Sequence, residues 1–382
     1  MNLYFFQSTP YEFFAFLFLS ILLLIQLYYY LFVFGRIPFS KTLPILNNLK
    51  DNWQPVSVVI CARNEEQNLA EFLPAILEQD YPDYEVIVVN DCSTDDSEIV
   101  LRRLQSEYKH LRVTTIKPDL KFSHGKKLAL TVGIKAAKNN RLLLTDADCR
   151  PESNEWIKHM AENFSDQKTV VLGYGGYIEA KGILNRFIRL DTFHIAIQYL
   201  GFALAKKPYM GVGRNLAYTK ELYFDNRGFA SHSHLRSGDD DLFIQQAANK
   251  HNTVVEIRHF AHTRSRACST FEEWINQKRR HLTTSPLYKN GVKFRLALEP
   301  ISRVLFWAVG IYLLATNFYP LTIGAILMLR LIIVQVILKI AMNRLNERKI
   351  FIISLIYDLL SPFLYGVFML ANRLTLNPRK WK

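Results

Sequence analysis

The sequence is short of cysteine. It has four in 382 residues, Cys61, Cys92, Cys149 and Cys268, and no C-x-x-C pair. This argues against a zinc ribbon or a disulfide framework, and three of the four fall in or beside expected strands, as reduced thiols of a cytosolic domain would. Internal repeats and low-complexity stretches are missing. Charge is missing between residues 13 and 34 (FFAFLFLSILLLIQLYYYLFVF), a run long enough to cross a bilayer as a helix. Ahead of that run the only charge is Glu12, and no small-residue cleavage site follows it, so an uncleaved anchor is expected rather than a signal peptide. The first expected strand is followed by Ala62-Arg63-Asn64-Glu65-Glu66 instead of a glycine-rich phosphate loop, which argues against a nucleotidyltransferase.

Negative charge is in relative deficit. Lys and Arg total 47 against 34 Asp and Glu, a formal net charge of +13. Much of the excess flanks apolar runs: Arg36 and Lys41 after the first, Arg344, Arg348 and Lys349 between later ones, and the tail at 379–382. Such flanks mark the cytoplasmic side of a membrane. No nucleic-acid recognition motif accompanies the charge, so membrane lipids and phosphate-bearing substrates are the expected partners and nucleic acid is not. Further apolar runs cover 304–319, 321–338 and 350–371, interrupted by Pro320, Arg330, Asp358 and Pro362. Intramembrane charges are costly, so Arg330 is expected to snorkel or to pair with Asp358. The last run is expected to be re-entrant or interfacial, because a full span would carry the basic tail to the outside.

Between these parts, residues 142–148 read Leu-Leu-Leu-Thr-Asp-Ala-Asp. A buried strand ending in two carboxylates, Asp146 and Asp148, brings acidic oxygens to the carboxyl edge of a sheet, where open α/β sheets bind ligands. Hard divalent cations take such oxygens. Strands are expected at 56–61, 85–89, 112–116 and 141–145, and helices at 67–79, 96–107, 125–138 and 242–249, with Asn64 capping the first. The alternation predicts an α/β fold with a mostly parallel sheet and helices on both faces. Arg63, Asp91 and Asp146 would then emerge at one sheet edge. A third acidic cluster, Asp239-Asp240-Asp241, follows Ser237-Gly238, and Gln277-Lys278-Arg279-Arg280-His281 comes after it.

The segments VSVVICARNEEQNL (56–69), EVIVVNDCSTDDS (85–97), GKKLALTVGIKAAKNNRLLLTDADC (125–149), GVGRNLAYTKELYFDNRGF (211–229), GDDDL (238–242) and QKRRH (277–281) together resemble the inverting, membrane-bound family 2 glycosyltransferases of the GT-A fold. The resemblance implies a nucleotide-sugar-binding domain at 50–290, an N-terminal transmembrane anchor at 1–40 and a C-terminal membrane region at 300–382, in the cytoplasmic membrane with the catalytic domain cytosolic. It implies a nucleoside-diphosphate sugar donor, UDP- or GDP-linked, and a lipid-linked or glycan acceptor. By position, Arg63, Glu65 and Asp91 would hold the nucleobase with Lys126 nearby. Asp146 would lie near the ribose, and Asp148 would bind Mg²⁺ or Mn²⁺ on the diphosphate. Asp240 would be the catalytic base, with Asp239 the alternative and Asp241 at the substrate. Gln277 and Arg280 would bind the diphosphate and floor the acceptor side, which Arg214-Asn215 would also line.

Two features depart from the family pattern. His281 stands where the motif Q-x-x-R-W has Trp, which counts against a processive polysaccharide synthase, the alternative reading. Three adjacent aspartates leave the register of the base open. A non-catalytic membrane scaffold is a further reading, against which Asp146, Asp148 and Asp240 stand. Simpler roles also exist: Asp91 as a helix cap, Asp239–Asp241 as partners of a helix dipole, Lys278–Arg280 as a membrane flank, and His232, His234, His259 and His262 as core or surface residues, since their spacing fits no zinc pattern.

Overall fold

The structure, a computed structural model, describes residues 9–40, 53–117, 125–235 and 237–374. Lys41 and the basic tail at 379–382 lie outside the described residues. The ten strands among them are β1 (Val56–Ala62), β2 (Tyr84–Asp91), β3 (Leu111–Ile116), β4 (Arg141–Asp146), β5 (Cys149–Pro151), β6 (Val170–Leu172), β7 (Gly175–Tyr177), β8 (Leu216–Thr219), β9 (Thr253–Val255) and β10 (Thr263–Ser265). Seven form one sheet in the order β3-β2-β1-β4-β8-β6-β9, and β5-β10-β7 form a second. Strands β1 to β4 pair in parallel, as the alternation predicts; β8 runs antiparallel to both β4 and β6.

The register of the central strands builds the ligand edge. All seven residues of β1 are buried. Its Ala62 is level with Asn90 of β2, and its Cys61 is level with Asp146 of β4. Branched and aliphatic side chains on both faces explain why this strand is central. Val58, Ile60, Val86, Val88 and Leu143 face one core with Leu69, Leu73 and Trp156. Val59, Cys61, Ile87, Val89, Leu142 and Leu144 face the other. There the helix Lys126–Ala136 packs so closely that a Cβ on Gly133 would sit 2.6 Å from Val59.

One expected cap is not formed. Asn64 adopts a left-handed φ of 55°, and its Oδ1 accepts the Thr94 N–H at 2.8 Å. The helix begins at Glu66 and runs to Leu77. Its first donors are satisfied from the neighbouring loop: Glu66 N–H by Asp95 at 3.1 Å and Glu65 N–H by Ser97 Oγ at 3.1 Å. The caps come from the turn after β2, so spacing along the helix's own sequence could not reveal them.

Among the described residues, four helical stretches are long and apolar enough to cross a membrane: Pro10–Phe39, Asn290–Ala315, Pro320–Arg344 and Phe351–Ala371. The second starts well before its apolar run and carries Pro300 within it. The last belongs to one unbroken helix, Phe351–Leu374, with Pro362 inside. Arg330 pairs with Asp358, one of the two expectations. Its Nη2 is 3.0 Å from Asp358 Oδ1 and donates to Gln26 Oε1 at 2.8 Å. Arg303 reaches the same carboxylate at 3.3 Å and Glu299 at 3.2 Å, and Gln26 Nε2 donates to Ser302 Oγ at 2.8 Å. Two acids and two bases thus neutralise one another, and every one of the four apolar helices contributes.

The sheet side is fastened to this bundle by two more buried carboxylates. Glu347, between the last two apolar helices, accepts from Tyr174 at 2.8 Å and from Arg189 Nη2 at 2.8 Å, and it pairs with Arg264. Asp191, on the helix Ile183–Leu204, accepts from Tyr357 at 2.7 Å and also meets Tyr365 and Lys278. The core on one sheet face also continues into Tyr30, Val33 and Phe34, and into Val334, Leu338 and Ala341.

Removing one partner of a buried ion pair leaves a charge uncompensated, at a cost of about 3–5 kcal/mol. Asp358→Ala is therefore expected to lower the thermal unfolding temperature of the full chain in detergent far more than Arg330→Leu combined with Asp358→Leu, which removes both charges.

Candidate active site

The site is built around one ammonium. Lys126 opens its helix directly after Gly125. Its Nζ lies 2.8 Å from Asp146 Oδ1 and 3.2 Å from Asp239 Oδ2. Burial alone would lower the lysine's pKa, but Asp146, Asp239 and Asp240 together hold it well above the usual range. The adjacent Lys127 turns the other way and donates to the carbonyls of His232 at 2.6 Å and Leu235 at 3.1 Å. Together the two lysines bring the Asp239–Asp241 segment against the end of β4.

The three aspartates have different surroundings. Burial would raise the Asp239 pKa, but Lys126 more than reverses that and holds it below the usual range. Asp240 shares a cavity with Cys61, Lys126, Asp146 and Gly213. Its Oδ2 accepts the Gly213 N–H at 2.9 Å. Burial, then the charges of Asp239 and Asp241, push its pKa up to about 7 against the pull of Lys126. Asp241 faces away from that cavity: its Oδ2 accepts from Thr284 Oγ1 at 2.5 Å and Tyr288 Oη at 2.7 Å. It ties the start of the helix Asp241–Ala247 to the segment leading into the helix Asn290–Ala315.

Asp148 follows β4 by two residues. Burial and the Asp146 charge push its pKa up to about 6, with Arg214 opposing. Donor atoms of Asp146, Asp148 and Cys149 lie within 4.8 Å of one another. The Cys149 thiol is pushed well above its usual range by burial and by Asp148, so it stays protonated, and it donates to Asp148 at 3.4 Å. The ligand atoms on offer are carboxylate oxygens, which suit a hard cation such as Mg²⁺ or Mn²⁺ with phosphate oxygens completing its shell. Glu65 is near enough that Asp148 and Asp146, after burial, raise its pKa. Arg63 and Asp91 flank Cys92, whose pKa is raised by burial and Asp91 and opposed by Arg63. Asp91 is the last residue of β2 and does not cap the next helix, whose Ser97 N–H is taken by Asp95 at 3.1 Å.

Of the two residues expected on the acceptor side, the Gly213–Asn215 turn brings one, Arg214, to the cleft. Arg214 lies over the Tyr177 ring at 4.3 Å and donates to Gly176 O at 3.2 Å. This aims its guanidinium toward Asp148. Asn215 does not reach the cleft. It is fully buried and bonds Trp156 Nε1 at 3.0 Å, Tyr174 O at 2.9 Å and Ala261 O at 2.7 Å. Gln277, on the helix Phe271–His281, accepts from Tyr177 Oη at 3.3 Å. Arg280 is half-buried one turn on, and the His281 beside it is exposed. The structure therefore gathers Glu65, Lys126, Asp146, Asp148, Asp239 and Asp240 at one edge, with Arg63 and Asp91 beside them and the end of the Gln277–Arg280 helix above. Asp241 alone is turned to a neighbouring element.

Residues 57–224 match Glycosyl transferase family 2. The chain carries a family 2 glycosyltransferase domain. It is 27% identical over 260 residues to the "Probable glycosyltransferase YdaM" of Bacillus subtilis, covering 63% of this chain and 58% of that protein. It is 27% identical over 132 residues to the "Poly-beta-1,6-N-acetyl-D-glucosamine synthase" of Staphylococcus epidermidis, covering 35% of this chain and 30% of that protein. The chain thus spans less than two thirds of either relative. Among solved structures, it resembles the mannosyltransferase PcManGT from Pyrobaculum calidifontis in complex with GDP-Man and Mn²⁺, with a TM-score of 0.56 at 17% identity, covering 88% of this chain and 98% of that one. That likeness shows a GT-A-like fold.

Asn215→Ala would strip partners from a buried indole N–H and two buried carbonyls, each costing about 1–3 kcal/mol when left unmade. The expected result is a loss of several degrees in thermal unfolding without any direct change to a group lining the cleft.

Proposed function

We propose that this family 2 domain transfers a sugar, with inversion, from a UDP- or GDP-linked donor to a hydroxyl or phosphate of a lipid-linked or other membrane-associated acceptor. The catalytic domain would face the cytosol from the cytoplasmic membrane. The observation that carries this reading is the Asp240 carboxylate, poised near neutrality in the cavity that Asp146 and Lys126 also line. A general base works best when its pKa lies near the working pH. Asp239 is neutralised by Lys126 and Asp241 is held by two hydroxyls, so Asp240 is the member of the run suited to take the acceptor's proton.

The other residues take roles by position. Arg63, Glu65 and Asp91 hold the nucleobase end of the donor, and Lys126 with Asp146 fixes the segment beside the ribose. Asp148, with Asp146, would hold Mg²⁺ or Mn²⁺. The cation, when bound, offsets charge that builds on the leaving diphosphate. Gln277 and Arg280 close the diphosphate from above, and Arg214 adds positive charge beside Asp148. Inversion requires the base on the face opposite the leaving group, the place Asp240 would take while Asp148 holds the diphosphate's cation. A processive polysaccharide synthase is the second reading, supported by the similarity to the S. epidermidis synthase. His281 offers a weaker stacking surface for a growing chain than Trp, and product length separates the two readings.

The test is nucleotide release and sugar transfer from a panel of UDP- and GDP-sugars by the full chain in membranes, with and without Mg²⁺ or Mn²⁺. One donor should be used, in a metal-dependent manner. Asp148→Ala should abolish the metal dependence, and Asp240→Asn should lower the rate by about 10²–10⁴-fold. No turnover of any donor by folded, nucleotide-binding protein would overturn the reading.

The proton balance gives a second check. A raised pKa means Asp240 keeps its proton to higher pH, and the protonated form cannot act as base. The rate should therefore rise with pH through about 7, and this step should vanish in the residual activity of Asp240→Asn.

A further inference from the structure

The helix Phe271–His281 has two faces with different work. Gln277 and Arg280 stand three residues apart and share one of them. Both are half-buried, and Gln277 accepts from Tyr177 Oη at 3.3 Å. Lys278 comes between them in sequence but is turned about 100° around the helix from Gln277. It is buried, and its ammonium pairs with Asp191 on the helix Ile183–Leu204. Trp274, one turn earlier on the same side, packs its ring 5.1 Å from that of Phe187 and 5.6 Å from that of Phe368. A lysine placed for charge at a phosphate or a membrane surface keeps its ammonium in water. Lys278 gives up that hydration to a carboxylate instead.

The carboxylate is in turn held from the membrane side. Asp191 Oδ1 accepts from Tyr357 Oη at 2.7 Å and from Tyr365 Oη. Both tyrosines belong to the helix Phe351–Leu374. Phe187 and His194, which share the helix of Asp191, close on the Tyr357 ring at 5.6 Å and 4.5 Å. The next residue, Asp358, meets Arg330 at 3.0 Å and Arg303 at 3.3 Å. Consecutive side chains of one apolar helix therefore hold the intramembrane charges and, through Asp191, the Lys278 ammonium. Apolar contact around Trp274 is non-directional. Charge-assisted hydrogen bonds are directional, so those meeting at Asp191 fix how the helix Phe271–His281 is rotated.

We propose that Lys278 is a positioning residue of the transferase. Docked on Asp191, it sets the rotation of its helix so that Gln277 and Arg280 meet the donor's diphosphate, and Tyr357 and Tyr365 hold Asp191 in place for it. The last apolar helix thereby takes part in donor binding without touching the donor. The proposal rests on the assignment of Gln277 and Arg280 to the diphosphate, and it adds what aims them.

The experiment compares equilibrium binding of UDP with UMP, and of GDP with GMP, to the full chain in detergent with MnCl₂. The samples are the unaltered protein, Lys278→Met, Tyr357→Phe combined with Tyr365→Phe, and Arg280→Ala, each with its thermal unfolding recorded. For whichever base the protein prefers, Lys278→Met and the tyrosine pair should each weaken the diphosphate about tenfold, the order expected of one charge-assisted hydrogen bond. The monophosphate should stay unchanged, and Arg280→Ala should show the same selective loss. A merely loosened fold would weaken both nucleotides alike, and that outcome would overturn the proposal. So would diphosphate binding that is unchanged in Lys278→Met or in the tyrosine pair while Arg280→Ala loses it. The tyrosine variant removes only two hydroxyls, so it carries the test alone where Lys278→Met does not fold. Unchanged diphosphate binding in Arg280→Ala would instead overturn the clamp assignment, and the positioning role with it.

Discussion

The Lys126 ammonium bridges two carboxylates that lie almost a hundred positions apart in the chain, and the candidate site depends on that bridge. Asp146 ends a central strand; Asp239 precedes a short helix that no strand register reaches. Without a cation between them the two acids would repel, and Asp240 would lose its place opposite the strand end. The bridge also separates the properties of three identical neighbours. The aspartate nearest the ammonium becomes acidic, and the one behind it becomes basic enough to accept a proton near neutrality. The third is spent on Thr284 and Tyr288. Identical residues in a row acquire different chemistry from their partners alone.

Around that bridge, the catalytic sheet and the apolar helices share one interior. The core on one sheet face passes without a break from Val59 and Leu142 to Tyr30, Phe34 and Leu338. A helix crossing of unusual closeness supports this junction: a Cβ on Gly201 would lie 2.9 Å from the Val33 carbonyl. Buried carboxylates then set the orientation that apolar contact alone would leave loose. Asp191, Glu347 and Asp358 each bind side chains from at least two other elements.

Much of this was legible in the sequence, for identifiable reasons. The long buried strands announced themselves as β-branched runs, and their ends carried the acidic residues that parallel register then aligned. The pairing of Arg330 with Asp358 followed from the cost of a lone charge among apolar helices. The illegible parts depended on distant partners. Strands β5, β6, β7, β9 and β10 have three residues each, too few for a periodic signal. Asn64 carries the right residue type for a cap, yet the cap comes from Asp95 and Ser97 across a loop. Asn215 stands beside Arg214 in sequence, but alternation sends one side chain toward the cleft and the other into the core. The division of labour within Asp239–Asp241 could be found only once Lys126, Gly213, Thr284 and Tyr288 had positions.

The placement of Glu347 bears on how this protein can be handled. This residue sits in the connector between the last two apolar helices, yet it supplies the counter-charge for Arg189 and Arg264 inside the catalytic half. A soluble version cut before the second apolar helix would keep both guanidiniums and discard their carboxylate. Arg264 would be left with Glu152 at 3.1 Å and Arg189 with Glu179 at 3.6 Å, one carboxylate short of the balance found in the full chain. The boundary drawn by hydropathy is therefore not an electrostatic boundary, because one carboxylate from the apolar half completes the charge balance of the other.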